Sequence, residues 1–242
     1  MRIPRLYIDQ PLSVGQNIRI QGEMANYLGR ALRLRPDNLI CFFNGSDQEY
    51  TAKILDISRK YVEIIIESSI DGATPSLLNL HLLQGLSKGD RMDFVMQKAT
   101  ELGIHKISPV MTEFCNVRLD AKRSEKKQQH WQAIIQAAAE QSGRCELPEL
   151  ATLSAFEHSI EDLINKEVIY LQPQAQQSLS AFVPKTSEVT LVIGPEGGFG
   201  EKDMELLSFI GAQEYSLGPR ILRTETAAIT AISILQSCHG DL

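Results

Sequence analysis

The sequence predicts an α/β protein with a smaller β-rich domain in front of it, on three observations. From residue 77 onward, short apolar strands alternate with amphipathic helices. The first 70 or so residues instead hold four strand-like runs and one helical run. Between the two, DGATPS at 71–76 is a turn-rich linker. A chain of 242 residues has room for two domains with buried cores. The expected boundaries are 1–72 and 73–242.

In the first domain NIRIQG is a short alternating strand. EMANYLGRALRL has helical spacing, with Met24, Leu28, Ala31 and Leu32 on one stripe. NLICFFNG, EYTAKILDI and YVEIIIES are strands divided by Asn44-Gly45 and by residues 58–60. A helix packed on a small antiparallel sheet or barrel is the simplest assembly. In the second domain LLNLHLLQGL is a strand and RMDFVMQKATELG a helix stopped by Gly103. HKISPVMT is a strand, and SEKKQQHWQAIIQAAAEQSG a long helix stopped by Gly143. KEVIYLQP, EVTLVIGP and QEYSLGP are three further strands. EKDMELLSFIG and TETAAITAISILQS are the last helices, and the sheet is expected to be mostly parallel.

Composition narrows the class. Hydrophobic residues make up 43% and charged ones 22%, as in ordinary globular proteins. No apolar run approaches the roughly 18 residues that span a bilayer. MRIPRLYIDQP has no apolar signal core, so a cytosolic protein is expected. Cys41, Cys115, Cys145 and Cys238 are scattered, with no CxxC, and read as small buried apolar residues. The five histidines show no HxxxH or HxE pattern, so neither a metal nor a histidine triad is assigned. Net charge is −6, which excludes a strongly basic nucleic-acid coat protein. Yet residues 1–35 carry six arginines against two acids. RLDAKRSEKK at 118–127 carries five bases against two acids. Either cluster alone reads as a solvated face; together they outline a local phosphate-binding surface.

Three motifs carry chemistry. IGPEGGFGEKD at 193–203 is a buried strand end, four crowded glycines and the start of a helix. Such glycines let main-chain N–H groups approach a ligand, and ligands of open α/β sheets sit at the carboxyl ends of strands. It is no Walker loop, since Glu201 follows Gly200; it has neither GxGxxG nor GxSxG. Glu196 makes it a poor cradle for phosphate. SLGPRILRTET at 216–226 repeats the grammar of strand, Gly-Pro turn and helix start, so the two loops are expected side by side. With YLQPQ at 170–174, three strand ends can frame one pocket. Thr224 is the expected N-cap. Arg223 is anomalous, because a cation at a helix N-terminus opposes the dipole. An ion pair to Glu225 or Glu196 stands beside a catalytic role. The third motif is a pair of charged helix ends in the α/β domain, Lys98 with Glu101 and Gln141 with Arg144.

MRIPRLY, KGDRMDFVMQKATELG, AAAEQSGR, LVIGPEGG and LGPRILRTETAA together resemble the RsmE family of SPOUT-class methyltransferases. The resemblance covers the chain from end to end. It departs at Asn26-Tyr27, at Pro36-Asp37 and in EFCNVR at 113–118. It implies a PUA-like N-terminal β-barrel and a C-terminal SPOUT α/β domain with a trefoil knot. It implies S-adenosylmethionine as cofactor and transfer of methyl to ring nitrogen 3 of a uridine in 16S rRNA, position 1498. The matching cofactor positions are Leu171 and Gln172; Ile193, Gly194, Pro195, Glu196 and Gly197; and Leu217, Gly218, Pro219, Arg220 and Leu222. A homodimer is implied, with the last apolar helix at its seam, and a substrate read within the small ribosomal subunit.

On that resemblance Arg223 stabilises the deprotonated uracil, whose charge spreads onto the flanking carbonyl oxygens. Arginine stays protonated and is not the base; Glu196, Glu101 and water remain open as proton acceptor. Ring nitrogen 3 lies on the pairing edge, so the base must be unpaired or flipped. Arg2, Arg5, Arg30 and Arg33, with Lys98 and Arg144, are the expected RNA contacts. A non-catalytic RNA-binding assembly factor, and a SPOUT enzyme acting on another RNA, remain the alternatives.

Overall fold

The computed structural model describes residues 3–115 and 120–242. The chain forms two compact units. One comprises Met1–Thr74 with Ala139–Glu146, the other Pro75–Ala138 with Leu147–Leu242. Among the described residues no helix is long and apolar enough to cross a membrane.

The first unit is a five-stranded sheet of β1 (Arg5–Tyr7), β2 (Asn17–Gln21), β3 (Leu39–Phe43), β4 (Gln48–Ile57) and β5 (Tyr61–Asp71). Its order is β1-β3-β4-β5-β2, so β1 and β2 are the ends of the hydrogen-bonded path. β1 runs parallel to β3, and the remaining pairs are antiparallel. Alternation along β5 buries Val62, Ile64 and Ile66 against Ile40, Phe42 and Ile54. The helical run is not one α-helix. Helix α1 (Gly22–Asn26) passes into a π turn, Tyr27–Ala31. There the Leu32 N–H reaches back five residues to the Tyr27 carbonyl. The wider turn alters the angular spacing of the stripe, so Leu28 is buried while Ala31, expected on the same face, is exposed.

Residues 139–146, which follow from the sequence as part of the α/β domain, pack with the first unit. Arg5 holds them. Its Nη1 donates to the Ala139 carbonyl at 2.9 Å and Nη2 to the Arg144 carbonyl at 2.7 Å. Nε pairs with Glu49 at 2.7 Å, and the guanidinium lies 4.0 Å over the Phe43 ring. The cation therefore serves carbonyls at a helix C-terminus, where the dipole favours it. Cys145 is buried here, whereas Cys41 and Cys115 are half-buried and Cys238 is exposed; all four are free thiols.

The second unit holds β6 (Asn79–Gly85), α2 (Arg91–Glu101), β7 (Lys106–Met111), most of α3 (Ala121–Ser142), β8 (Glu149–Leu150), β9 (Ser154–Ala155) and α4 (Phe156–Glu161). Then come β10 (Val168–Leu171), β11 (Glu188–Ile193), α5 (Glu201–Phe209), β12 (Gln213–Tyr215) and α6 (Thr224–His239). The sheet order is β12-β10-β11-β6-β7-β8, with β9 also on β7, and every pair is parallel. Its strands are apolar on both faces, as a sheet covered on both sides requires. Leu82, Ile107, Ile169 and Leu191 point into one core, with Met96 of α2 and Ile232 of α6. Leu83, Val110, Val168 and Val192 point into the other, with Phe156 of α4 and Leu207 of α5. Gly103 and Gly143 take positive φ, +84° and +91°, just past the ends of α2 and α3.

Candidate active site

The carboxyl ends of β10, β11 and β12 open onto one cleft of about 420 Å3. β10 lies between β11 and β12 in the sheet, so the two strands are not neighbours, but the segments that follow them meet across the cleft. The cleft is lined from β10 by Leu171, Gln172 and Pro173. From β11 come Ile193, Gly194, Pro195 and Glu196, and from the last loop Leu217, Gly218, Arg220, Leu222 and Arg223. Gly197 and Pro219 do not line it. Any Cβ on Gly197 meets the Phe114 Cβ at 2.9 Å, so this glycine admits a neighbouring chain segment. Gly218 has φ +94°, a conformation that L residues rarely adopt.

Two contacts that local motifs did not reveal set the loops in place. A Cβ on Gly85, at the end of β6, would lie 2.5 Å from the Pro195 nitrogen. Only glycine lets β6 approach the Gly-Pro turn this closely. Thr224 is not the N-cap. Arg223 holds that position with no side-chain cap bond. The Thr224 hydroxyl donates to the Gly194 carbonyl at 2.7 Å and accepts from Gln84 at 2.9 Å. A hydroxyl committed to that bridge is lost to capping.

Arg91, the first residue of α2, decides the electrostatics. It pairs with Glu196, and its Nε lies 3.7 Å from Glu225. Both carboxylates that were candidate partners of Arg223 are thus engaged by another cation. Arg223 and Arg220 are exposed, and neither guanidinium has a hydrogen-bond or ion-pair partner among the described residues. Burial alone pushes the Glu196 carboxyl up. Its own main-chain N–H, the Lys88 N–H and Arg91 outweigh that and hold it below the ordinary carboxylate value. A carboxylate so held is a weak proton acceptor.

The remaining expected contacts divide. Arg5 is committed to the interior bonds described above and does not present its charge to a ligand. Arg30 and Arg33 are exposed, the latter with φ +53°. Lys98 is bonded to Glu101 at 2.8 Å, and neither lines the cleft. The Arg144 carbonyl accepts from Arg5, in the first unit. Arg2 lies outside the described residues, as does Arg118.

An RNA methyltransferase domain matches residues 74–236 and an RNA methyltransferase PUA domain matches 20–67. The ribosomal RNA small subunit methyltransferase E of Buchnera aphidicola from Schizaphis graminum is 35% identical, over 100% of this chain and 98% of its own. That of Bacillus subtilis is 30% identical over 93% and 92%. The chain belongs to the ribosomal RNA small subunit methyltransferase E family. It is an RNA methyltransferase, with a PUA-like first unit. Two solved structures match it from end to end. A Legionella pneumophila methyltransferase in complex with the cofactor SAM has a TM-score of 0.95 at 38% identity, covering 100% of both chains. The Neisseria gonorrhoeae methyltransferase E bound to S-adenosyl methionine has 0.91 at 33%, again covering 100% of both. The family assignment gives the cleft its chemical context. Arg91 stands inside KGDRMDFVMQKATELG, so the motif held the signal, but its two acidic partners are 105 and 134 positions away.

Proposed function

We propose that this protein transfers the methyl group of S-adenosylmethionine to ring nitrogen 3 of a uridine in 16S rRNA, within the small ribosomal subunit. The observation that carries this is an unpartnered arginine, Arg223, on the wall of a cleft built from three strand ends. A volume of about 420 Å3 suits a cofactor-sized ligand. Leu171, Ile193, Leu217 and Leu222 give apolar walls, and the adjoining turns offer main-chain donors and acceptors. Those features fit an adenine ring and a sulfonium-bearing chain, and Gln172 and Glu196 supply polar ends.

Bound there, the cofactor supplies an electrophilic methyl carbon on a sulfonium. The protein's work is positioning and charge. Arg223 lowers the free energy of the uracil anion by facing the charge on its carbonyl oxygens. Because Arg91 engages Glu196 and Glu225, that guanidinium is not neutralised before substrate arrives. Glu196, depressed by the same Arg91, orders its loop and does not take the ring proton. Glu101 is bonded to Lys98 away from the cleft. Water in the cleft is then the proton acceptor. Arg30 and Arg33 contact the RNA backbone, and two chains associate through α6, whose Ile229 and Ile234 are only half-buried in one copy.

Titration calorimetry with S-adenosylmethionine tests the cofactor half of this reading. One saturable site per chain is expected. An absence of heat would leave an RNA-binding module without a cofactor.

A further inference from the structure

A second, smaller cavity lies in the α/β unit, outside the cofactor cleft. It encloses about 230 Å3 between the loop joining β6 to α2 and the middle of α3. Its polar lining is Ser87, Lys88, Gly89 and Lys127, and its floor is Met92 and Trp131, each 1% exposed. Neither lysine has an ion-pair partner among the described residues. The nearby acid Asp93 is already used: it accepts from the Trp131 indole at 3.1 Å and lies 2.7 Å from His130. Lys127 Nζ sits 5.9 Å from the Trp131 ring centroid. Lys88 connects the two cavities, since its main-chain N–H donates to Glu196, on the cofactor cleft. Lys122 and Lys126 stand exposed on the same basic segment of α3.

Two ammonium groups without an ion-pair partner, with the main chain at Gly89 between them and an apolar wall behind, suit a phosphodiester. We propose that this cavity is a phosphate subsite for the RNA strand that delivers the target nucleotide, with Lys88 and Lys127 as its cations. The proposal rests on the methyltransferase reading for the strand's role. It accounts for the basic segment of α3, which the cofactor cleft does not use, and for a lysine whose main chain holds Glu196.

The chain has one tryptophan, and it forms the floor of the cavity, so Trp131 emission reports occupancy directly. The test is titration of the full-length protein with a short single-stranded oligouridylate at several salt concentrations, with inorganic phosphate as the parallel probe. RNA is expected to shift the emission saturably. Lys88→Gln and Lys127→Gln should each make the plot of log affinity against log salt shallower by about 0.7, the share of one phosphate contact on a single strand. Lys127→Arg should restore the slope, which a merely structural lysine would not require. Unchanged slopes in both glutamine variants overturn the subsite. So does inorganic phosphate shifting Trp131 as tightly as RNA, because the site would then be one for a free anion. A wild-type protein that passes this titration yet transfers no methyl group would sink the methyltransferase reading and leave the RNA contact standing.

Discussion

Arg223 sits at the N-cap of α6, where the helix dipole opposes a cation, and no carboxylate compensates it among the described residues. On the proposed function, a charge kept there without a partner serves the substrate. Arg223→Ala is therefore expected to lower turnover by about 10²–10³-fold, the usual loss on removing one electrostatic donor. Its cofactor affinity by calorimetry should stay within about twofold, since uniform binding is not what it supplies. A variant with near-normal turnover would remove the role. His81 makes a separate claim on stability. Burial first, then Lys106 and Lys166, push its imidazole down to about 4. It bridges the sheet, 2.8 Å from Ser108 and 3.5 Å from Thr190. Its native pKa lies below the ordinary histidine value of about 6.5, so the unfolded chain takes up the proton first. The stabilisation is full above about pH 6.5 and is lost as pH falls toward 4. Urea unfolding across that window should show the decline, and His81→Gln should flatten it. Identical pH profiles for the two proteins would contradict the assignment.

Elements place these residues. The site needs β6 to pass against the Gly-Pro turn after β11, and Gly85 alone permits it. In Gly85→Ala the added Cβ strikes main chain at Pro195, which cannot swing aside as a side chain can. The Gly194–Glu196 turn is expected to move, with cofactor affinity falling at least about tenfold, roughly the 1.4 kcal/mol that a modest overpacking strain costs. Far-UV circular dichroism should stay native; unaltered cofactor affinity would show the contact to be slack. Apolar runs and glycine stops made β6, β7, β10, β11, α2, α5 and α6 legible in the sequence, because burial on both faces leaves no polar alternation to misread. The π turn after α1 was not legible, since a single widened turn leaves the 3.6-residue pattern almost intact. Nor were β8, β9 and α4, which are too short to show a period. In the cleft, loops were legible from their Gly-Pro turns. Gly85, Thr224's bridge and Arg91's pairing were not, because each depends on a partner more than 100 positions away.

At the scale of the whole chain, residues 139–146 pack with the first unit, where Arg5 donates to the Ala139 and Arg144 carbonyls and Glu140 accepts from the Tyr7 N–H. Charge counting places Arg5 among the RNA contacts. Its geometry gives it a folding role. Arg5→Ala leaves Glu49 without its cation and takes one donor from each of the Ala139 and Arg144 carbonyls, at a cost of about 3 kcal/mol. Denaturant midpoints should fall accordingly, while RNA affinity per folded molecule should not; a selective loss of RNA affinity would return Arg5 to the binding surface. Small ribosomal subunits from cells lacking this gene, incubated with the protein and methyl-labelled S-adenosylmethionine, give the most direct measurement. Mass spectrometry of the digested 16S rRNA then locates the label. One methyl group is expected on ring nitrogen 3 of one uridine, appearing about 10²–10³-fold more slowly with Arg223→Ala. Label on another atom or another RNA, or none with the wild-type protein, would contradict it.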